Sequence, residues 1–211
     1  VILSVLFNKI IILAPRGELS NYVIQNKKLR KKIFIFIFFY VFKLDRYIIF
    51  HFTSQEEIMN FKKLVNKKIK FKLIPNIINL RIKIKKKTLN KKYKFLFFSR
   101  IDEKKNLHET INLFKKIKGN FLFDIYGPSK NKKYLETCLN AIKDDSRIKF
   151  KGKITFEKLT KISNNYNFFI LLSKNENFGH SVIEASSLNI PVIISNNIPW
   201  AKDKNLKKLI T

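Results

Sequence analysis

Two glutamates and a helix start mark the stretch of the chain richest in possible chemistry, Ser173 to Ser195 (SKNENFGHSVIEASSLNIPVIIS). Glu176 falls in a polar loop and Glu184 in the helix that follows, with seven residues between them. The helix is predicted to open at Phe178-Gly179, where unpaired backbone N–H groups and the positive dipole end favour an anionic ligand. A carboxylate beside such a phosphate site indicates a nucleotide ligand. The alternative is an ordinary crossover helix with a solvated glutamate.

A basic loop earlier in the chain could supply the other half of that site. Arg100 and Lys105 stand in SRIDEKKN, directly after an apolar run that predicts a strand. Arginine offers a forked set of donors and lysine a point charge, and the two together suit a diphosphate. Lys104 is adjacent to Lys105, so spacing alone does not choose between them. The alternative is a solvated basic loop.

The elements that must position these residues alternate regularly after residue 92. Short apolar runs are separated by helical patterns of about ten residues, which predicts βαβ units and a parallel sheet. The fold class is therefore α/β, and this half of the chain is expected to be Rossmann-like. The predicted strands are 93–98, 121–126, 147–150, 167–172 and 191–194, and the predicted helices before the glutamate stretch are 107–117, 132–142 and 156–163.

The beginning of the chain shows the same kind of pattern. Ile10 to Ala14 (IIILA) predicts a buried strand, and Arg16 and Gly17 follow it in a loop. Open α/β sheets bind ligands at the carboxyl ends of their strands, so both residues are candidates, with a simple turn as the alternative. Further on, Ser54 and Glu57 have the spacing of a capping box and predict a helix start.

A lysine-rich, low-complexity stretch, Arg81 to Lys92 (RIKIKKKTLNKK), is the best candidate for a linker. Strands are predicted before it at 47–52 and 71–74. We therefore place the boundary at residues 79–92, between a partial Rossmann-like domain at 1–78 and a second domain at 93–211.

The formal net charge of +29 suggests nucleic acid or an anionic membrane as a partner. The basic residues are nearly all lysine, however, and they are spread along the chain beside many Asn, Ile and Phe. That pattern fits a coding bias that places lysine on every solvated face. No motif typical of nucleic-acid binding accompanies the charge, so no specific nucleic acid is expected.

Cysteine and histidine counts exclude other classes of site. Cys138 is the single cysteine, so an internal disulfide is excluded. The three histidines, His51, His108 and His180, are scattered, so no metal cluster is proposed. We expect a reducing, cytoplasmic setting because no stretch resembles a signal peptide.

The apolar run IFIFIFFYVF, Ile33 to Phe42, is bracketed by basic residues. Ten apolar residues are too few to span a bilayer, so a buried helix or strand is the first interpretation. The alternative is a basic, aromatic-rich surface that contacts an anionic membrane peripherally. The flanking charged residues are Lys27, Lys28, Arg30, Lys31 and Lys32 before the run and Lys43, Asp45 and Arg46 after it.

Six segments, taken together and in order, resemble one protein family. SRIDEKKNLHETINLF, FDIYGPSKNKKYLETC and ENFGHSVIEASSLNIPVIIS are similar to the donor-binding domain of a family 4 retaining glycosyltransferase of GT-B fold, a group 1 glycosyl transferase. IILAPRGELS, HFTSQEE and LIPNIIN resemble the later part of the acceptor domain in that family.

The resemblance implies a transferase that moves a sugar from a nucleotide-sugar donor to a glycan or lipid-linked acceptor. The anomeric configuration would be retained, and the pathway would be cell-envelope, lipopolysaccharide or exopolysaccharide synthesis at the inner face of the membrane. The alternative function is a non-catalytic, lysine-rich module that binds nucleic acid or an anionic membrane.

The resemblance also implies roles for particular residues. Glu176 and Glu184 match the Glu-x7-Glu motif of the family, in which the second acid accepts hydrogen bonds from the ribose and the first holds the transferred sugar. Arg100 and Lys105 match the pair that neutralises the diphosphate, which chooses Lys105 over Lys104.

The remaining implied contacts are with the donor and the acceptor. The backbone of Phe178, Gly179 and His180 would meet the diphosphate, and Ser99 would join the donor site. Many relatives have a histidine where this chain has Pro15-Arg16-Gly17, so Arg16 and Gly17 are expected to take a donor or acceptor contact. No metal, no cofactor and no enzyme-bound sugar intermediate are expected.

The chain also departs from the family pattern. No strand and glycine-rich loop precede Ile10, and few elements follow Pro199-Trp200 before Thr211. We therefore expect a chain truncated at both ends, with weak or no transferase activity by itself. Position 106 is Asn where many relatives have Gly, a change in the loop next to the diphosphate.

Overall fold

The chain divides into two compact units, Val1–Ile78 and Asn79–Thr211. The computed structural model describes residues 3, 4, 7, 9–16, 28–76 and 92–202. Most of the proposed linker at 79–92 therefore lies outside the described residues, as does Gly17.

The first unit contains a three-stranded parallel sheet with the order β1-β2-β3. A helix and a π-helical turn lie between the first two strands in sequence, and a second helix lies between the last two. The elements are β1 (Ile11–Leu13), α1 (Lys28–Phe36), the π-helical turn (Ile37–Val41), a 3-10 turn (Leu44–Tyr47), β2 (Ile48–Phe52), α2 (Gln55–Leu64) and β3 (Lys70–Leu73).

Strand alternation builds the core of the first unit. Alternate residues of β2, among them Phe50 and Phe52, are buried on one face of the sheet. Their rings meet Phe61 of α2 at centroid distances of 5.0 and 5.2 Å. Phe39 of the π-helical turn completes the cluster, 5.8 Å from Phe61. Edge and tilted contacts of this kind add to the free energy gained by burying apolar area.

The predicted capping box at the start of α2 is confirmed. The Ser54 hydroxyl accepts a hydrogen bond from the Glu57 N–H at 3.1 Å. The Glu57 carboxylate is buried and accepts from the backbone N–H of Thr53 at 2.9 Å. The reciprocal bond of the motif is thus made one residue earlier than the usual pattern.

Two predictions of burial in the first unit are confirmed only in part. Ile12 of β1 is 70% exposed, because β1 lies at the edge of the sheet and no described residue covers that face. The run from Ile33 to Phe42 is helical, but only Ile35, Phe38 and Phe39 are buried in it. Only one side of a helix can meet the sheet, and this run is apolar on every side. None of the helices described is both long enough and apolar enough to cross a bilayer.

The second unit contains a five-stranded parallel sheet with the order β6-β5-β4-β7-β8. Counted within this unit, the order is 3-2-1-4-5, so the direction of winding reverses between β4 and β7. Its elements are β4 (Tyr93–Phe98), α3 (Leu107–Lys116), β5 (Phe121–Tyr126), α4 (Lys132–Ile142), β6 (Ile148–Phe150), α5 (Phe156–Ile162), β7 (Phe168–Leu171), α6 (His180–Ser187) and β8 (Val192–Ile194).

The core of the second unit lies on both faces of this sheet. On one face, Phe114 of α3 stacks on Phe123 of β5 with ring centroids 4.3 Å apart. Val182 and Ala185 of α6 are buried in the same cluster as Phe169 of β7. The apolar residues of α3 and α6 therefore hold the starts of both helices at the carboxyl edge of the sheet.

Candidate functional site

A cavity of about 310 Å³ opens at the carboxyl edge of the second sheet. It lies where β4 ends and where the loop after β7 leads into α6, which is the position at which the winding reverses. Open α/β sheets bind their ligands at this position. The lining residues are Phe98, Ser99, Arg100, Lys105, Tyr126, Gly127, Pro128, Ile154, Glu176, His180, Ser181 and Glu184.

A short capped turn presents Lys105 to the cavity. The Asp102 carboxylate accepts a hydrogen bond from the Lys105 N–H at 3.1 Å and closes the 3-10 turn Glu103–Lys105. Asn106 then adopts a left-handed conformation with φ +56°, and α3 begins. Asparagine tolerates this region better than most residues, so Asn106 replaces glycine here without breaking the turn.

Lys105 and Glu176 form an ion pair inside the cavity. The Lys105 ammonium donates to the Glu176 carboxylate, and their side chains are 10% and 13% exposed. Lys104 does not line the cavity; its carbonyl accepts from the Lys174 N–H at 2.8 Å and ties the two loops together. The structure therefore brings Lys105, and not Lys104, to Glu176.

Arg100 stands at the mouth of the same cavity with its side chain 68% exposed. Its guanidinium is 4.0 Å from the Asp102 carboxylate, at the outer limit of an ion pair. An exposed pair at this distance contributes little to stability. The forked donors of Arg100 can therefore turn towards an anion in the cavity at small energetic cost.

The start of α6 adds backbone donors. Gly179 caps the helix with φ +81°, and a Cβ there would lie 3.4 Å from the Glu176 side chain and from Trp200. Among the described residues, none accepts a hydrogen bond from the backbone N–H of His180 or Ser181, both of which line the cavity. These two N–H groups are available to an anionic ligand.

Glu184 lies one to two turns further along α6 and also faces the cavity. Burial raises the pKa of its carboxyl, and the nearby His180 lowers it in part. No donor in the described ranges forms a hydrogen bond with this carboxylate. A half-buried acceptor without a partner is costly, and a ligand hydroxyl would relieve that cost.

Not every predicted residue lies in the cavity. Phe178 and Gly179, whose backbone was expected to meet the diphosphate, are outside the lining. The Phe178 ring contacts Trp200 edge-on and His180, each with centroids 4.8 Å apart. Phe178 therefore supports the loop. Arg16 belongs to the first unit, where it adopts φ +51° and donates to the Asn76 side chain at 2.8 Å.

Several lining residues were missed by the sequence analysis: Phe98, Tyr126, Gly127, Pro128, Ile154 and Ser181. Gly127-Pro128 follows the predicted strand β5, and that position at the carboxyl edge could have indicated them. A Cβ on Gly127 would lie only 1.8 Å from the Ser99 carbonyl oxygen, so glycine is required for the two strand ends to approach. Nothing in the sequence around Ile154 marks it.

No group of three His, Cys, Asp or Glu side chains converges as a metal site within the ranges that the structure describes. That the protein works without a metal stays a prediction.

Comparison with known families places the cavity in context. The sequence profile of the glycosyl transferases group 1 family matches residues 80–205, which is more than half of the chain. The chain belongs to this family. No curated protein sequence matches it significantly.

Solved structures of low identity share the fold. HepE of Anabaena, crystallised with UDP and glucose, superposes with a TM-score of 0.73 at 17% identity. Sucrose-phosphate synthase of Thermosynechococcus elongatus gives 0.60 at 22% identity, covering 71% of this chain and 41% of that chain. The lipopolysaccharide outer core galactosyltransferase WaaB gives 0.57 at 16% identity, with 71% and 43% covered. The predicted α/β fold with two parallel sheets of GT-B type is confirmed.

The match with HepE covers 93% of this chain but 56% of the HepE chain. This chain therefore spans a little over half the length of that structure.

Proposed function

We propose that the protein transfers a sugar from a nucleotide-sugar donor, and that the cavity of the second unit binds the donor. One observation carries the proposal. At a single sheet edge, two basic side chains and two unpaired helix N–H groups stand beside two carboxylates, Glu176 and Glu184. The first set suits a diphosphate and the second suits the hydroxyls of a ribose and a sugar.

Each part of the donor has a matching group. Glu184 accepts hydrogen bonds from the ribose hydroxyls, which give its half-buried carboxylate a partner. The N–H groups of His180 and Ser181 and the guanidinium of Arg100 bind the diphosphate. A lysine ammonium has three N–H donors, so Lys105 can keep one on Glu176 and direct the others at phosphate. Glu176 then positions Lys105 and also accepts from a hydroxyl of the sugar.

The reaction we propose breaks the bond between the anomeric carbon and the diphosphate oxygen. The acceptor hydroxyl attacks from the face that the diphosphate leaves, so the configuration is retained, and its proton passes to the departing phosphate oxygen. Arg100, Lys105 and the helix N–H groups stabilise the negative charge on the leaving group. Catalysis is then positioning and electrostatic stabilisation, with no cofactor and no metal.

For the acceptor we propose a glycan or a lipid-linked glycan of the cell envelope, with the reaction on the cytoplasmic side. WaaB, a lipopolysaccharide outer core galactosyltransferase by its title, supports this choice of class. Arg16, held by Asn76 at the carboxyl end of β1, is our candidate for a contact of the first unit with a substrate.

Binding of nucleotides tests the proposal directly. Titration calorimetry with UDP, GDP and ADP should show at least one nucleotide diphosphate binding in the micromolar range. Arg100→Ala and Glu184→Ala should each weaken that binding by roughly 10- to 100-fold, because each removes hydrogen bonds that involve a charged group. Lys161→Ala and Glu157→Ala are matched controls, since this exposed ion pair on α5 does not line the cavity.

The same measurements distinguish the proposed transferase from the alternative, a lysine-rich module. Such a module would bind any polyanion with a steep salt dependence, and Arg100→Ala would affect it no more than Lys161→Ala. If both cavity variants bind nucleotide diphosphates as the unchanged protein does, the assignment of the site is wrong.

A further inference from the structure

An exposed apolar stripe runs along α1 and the π-helical turn in the first unit. It consists of Ile33, Phe36, Ile37, Tyr40 and Val41, which are between 40% and 59% exposed. Their spacing is that of one helical face. Exposed Phe34 and Phe42 widen it. Exposed apolar area of this continuity indicates an interaction surface.

The core of the first unit, in the part of the chain that the structure describes, does not include this stripe. The opposite side of the same segment, Ile35, Phe38 and Phe39, packs into the core of the first unit. Phe36 and Tyr40 stack on each other along the stripe, with centroids 5.8 Å apart, and both remain exposed. The stripe thus retains apolar area after the core of the unit is complete.

The charges around the stripe are of one sign. Residues 28 to 44 contain no Asp or Glu, and the exposed Arg30 and Lys32 precede most of the stripe while Lys43 follows it. The nearest acid in sequence, Asp45, is buried within 3.7 Å of the Lys67 ammonium. Lys67 also lies 4.8 Å from the centre of the Tyr40 ring. Cations therefore lie at both ends of the stripe in sequence and beside Tyr40.

We propose that this stripe lies in the surface of an anionic lipid bilayer. A bilayer supplies both an apolar phase for the side chains and a plane of negative charge for the flanking cations. Tyr40 suits the headgroup level because its ring is apolar and its hydroxyl polar. The helical segment lies along the membrane rather than across it, since it is shorter than a bilayer requires. Nucleic acid would match the charge but would leave the aliphatic side chains in water.

This surface is separate from the proposed donor site, and the two can be tested apart. Binding of the full chain to vesicles of phosphatidylglycerol and phosphatidylcholine is measured by co-sedimentation, with pure phosphatidylcholine vesicles in parallel. We expect binding to the anionic vesicles and little binding to the neutral ones. The fluorescence of Trp200 shows in each variant that the second unit is folded, and circular dichroism reports on the helix content of the whole chain.

The variant Ile33→Ser/Phe36→Ser/Val41→Ser removes apolar area without changing the net charge. We expect it to bind anionic vesicles roughly 100-fold more weakly, since each half-exposed side chain contributes about a factor of five on insertion. The matched control replaces three apolar residues of similar exposure in the second unit, Leu113→Ser/Phe156→Ser/Ile193→Ser. It should bind as the unchanged protein does.

A charge reversal tests the stripe without touching its core-facing side. Arg30→Glu/Lys32→Glu should weaken binding to anionic vesicles more than Lys132→Glu/Lys133→Glu, an equal change of charge on exposed residues of α4. Equal effects of the two pairs would attribute the binding to overall charge and would overturn the proposal. So would vesicle binding by the triple serine variant that equals that of the unchanged protein. If the unchanged protein is a dimer and the triple serine variant is a monomer that still binds vesicles, the stripe is instead the contact with a second copy of the chain.

Discussion

Glu176→Gln is expected to lower the free energy of unfolding of the second unit by about 3 kcal/mol. The variant keeps the size of the side chain but removes the negative charge that faces the Lys105 ammonium. Both side chains are nearly buried, at 10% and 13% exposure. The change therefore resembles the breaking of a buried ion pair, which costs about 3–5 kcal/mol. It resembles less closely the loss of a surface ion pair, which is worth about 0–1 kcal/mol. The residual exposure favours the lower end of the range.

The fluorescence of Trp200 provides the assay. It is the only tryptophan of the chain and packs against Phe178, in the loop that carries Glu176. Its signal in urea therefore reports on the unit that contains the ion pair. With a slope of about 2 kcal/mol per M for a domain of this size, the midpoint should fall by about 1.5 M.

Two comparisons can refute this reasoning. Glu157→Gln breaks the exposed pair with Lys161 on α5 and should shift the midpoint by only about 0.2 M. A Glu176→Gln shift as small as that would show that the ion pair contributes nothing. The double variant Lys105→Met/Glu176→Gln removes both charges and should recover most of the loss, because no unpaired charge remains. A double variant whose loss equals the sum of the two single losses would show that the two charges are not coupled.

Substitutions at three further positions, in the cavity and in the loop beside it, have expected outcomes. Glu184→Gln should raise the free energy of unfolding at neutral pH. Burial raises the pKa of Glu184 in the folded state. The carboxyl therefore stabilises the fold at pH values below its unfolded pKa, and this stabilisation is lost as the pH rises through the folded pKa. The same variant should bind the nucleotide diphosphate of the proposed donor about tenfold more weakly at neutral pH, and calorimetry should show wild-type affinity falling towards mildly acidic pH while that of the variant stays flat. Gly127→Ala should cost about 1–3 kcal/mol in urea unfolding, since its Cβ would lie 1.8 Å from the Ser99 carbonyl oxygen. Asn106→Gly should melt within a few degrees of the unchanged protein, whereas Asn106→Val should lower stability by about 1–2 kcal/mol because a β-branched residue resists φ +56°.

Element positions in the second unit could be read closely from the sequence. The strands Tyr93–Phe98 and Phe121–Tyr126 and the helix Lys132–Ile142 have the predicted bounds. Each of these elements is a run with the hydrophobic pattern of a strand or a helix, and polar or turn-forming residues such as Gly127-Pro128 follow it. Where local pattern and tertiary contact agree in this way, the sequence is sufficient.

The choice between Lys104 and Lys105 shows where the residues alone were not sufficient. The two lysines are chemically equal, and their orientation depends on the turn that the Asp102 carboxylate closes. Resemblance to a family pointed to Lys105, and the structure places its ammonium on Glu176. Ile154 lines the cavity only because its loop follows β6 to the sheet edge, a tertiary fact with no local pattern.

The burial of α1 could not be predicted for a different reason. Hydrophobic periodicity identifies the face that meets the core only when the other face is polar. Here Phe36 and Ile37 are as apolar as Phe38 and Phe39, so the pattern is consistent with full burial. The arrangement of the strands decides which side is covered.

The reversal of winding between β4 and β7 has a consequence for the synthesis of the protein. The two loops that meet in the Lys105–Glu176 pair are 71 residues apart in sequence. A growing chain can pair β4 with β5, and β5 with β6, soon after they emerge, but it has no second wall for the cavity until β7 and α6 follow. Contacts of such long range form late, after the local ones. Acquisition of nucleotide binding would therefore mark the completion of the second unit during its synthesis.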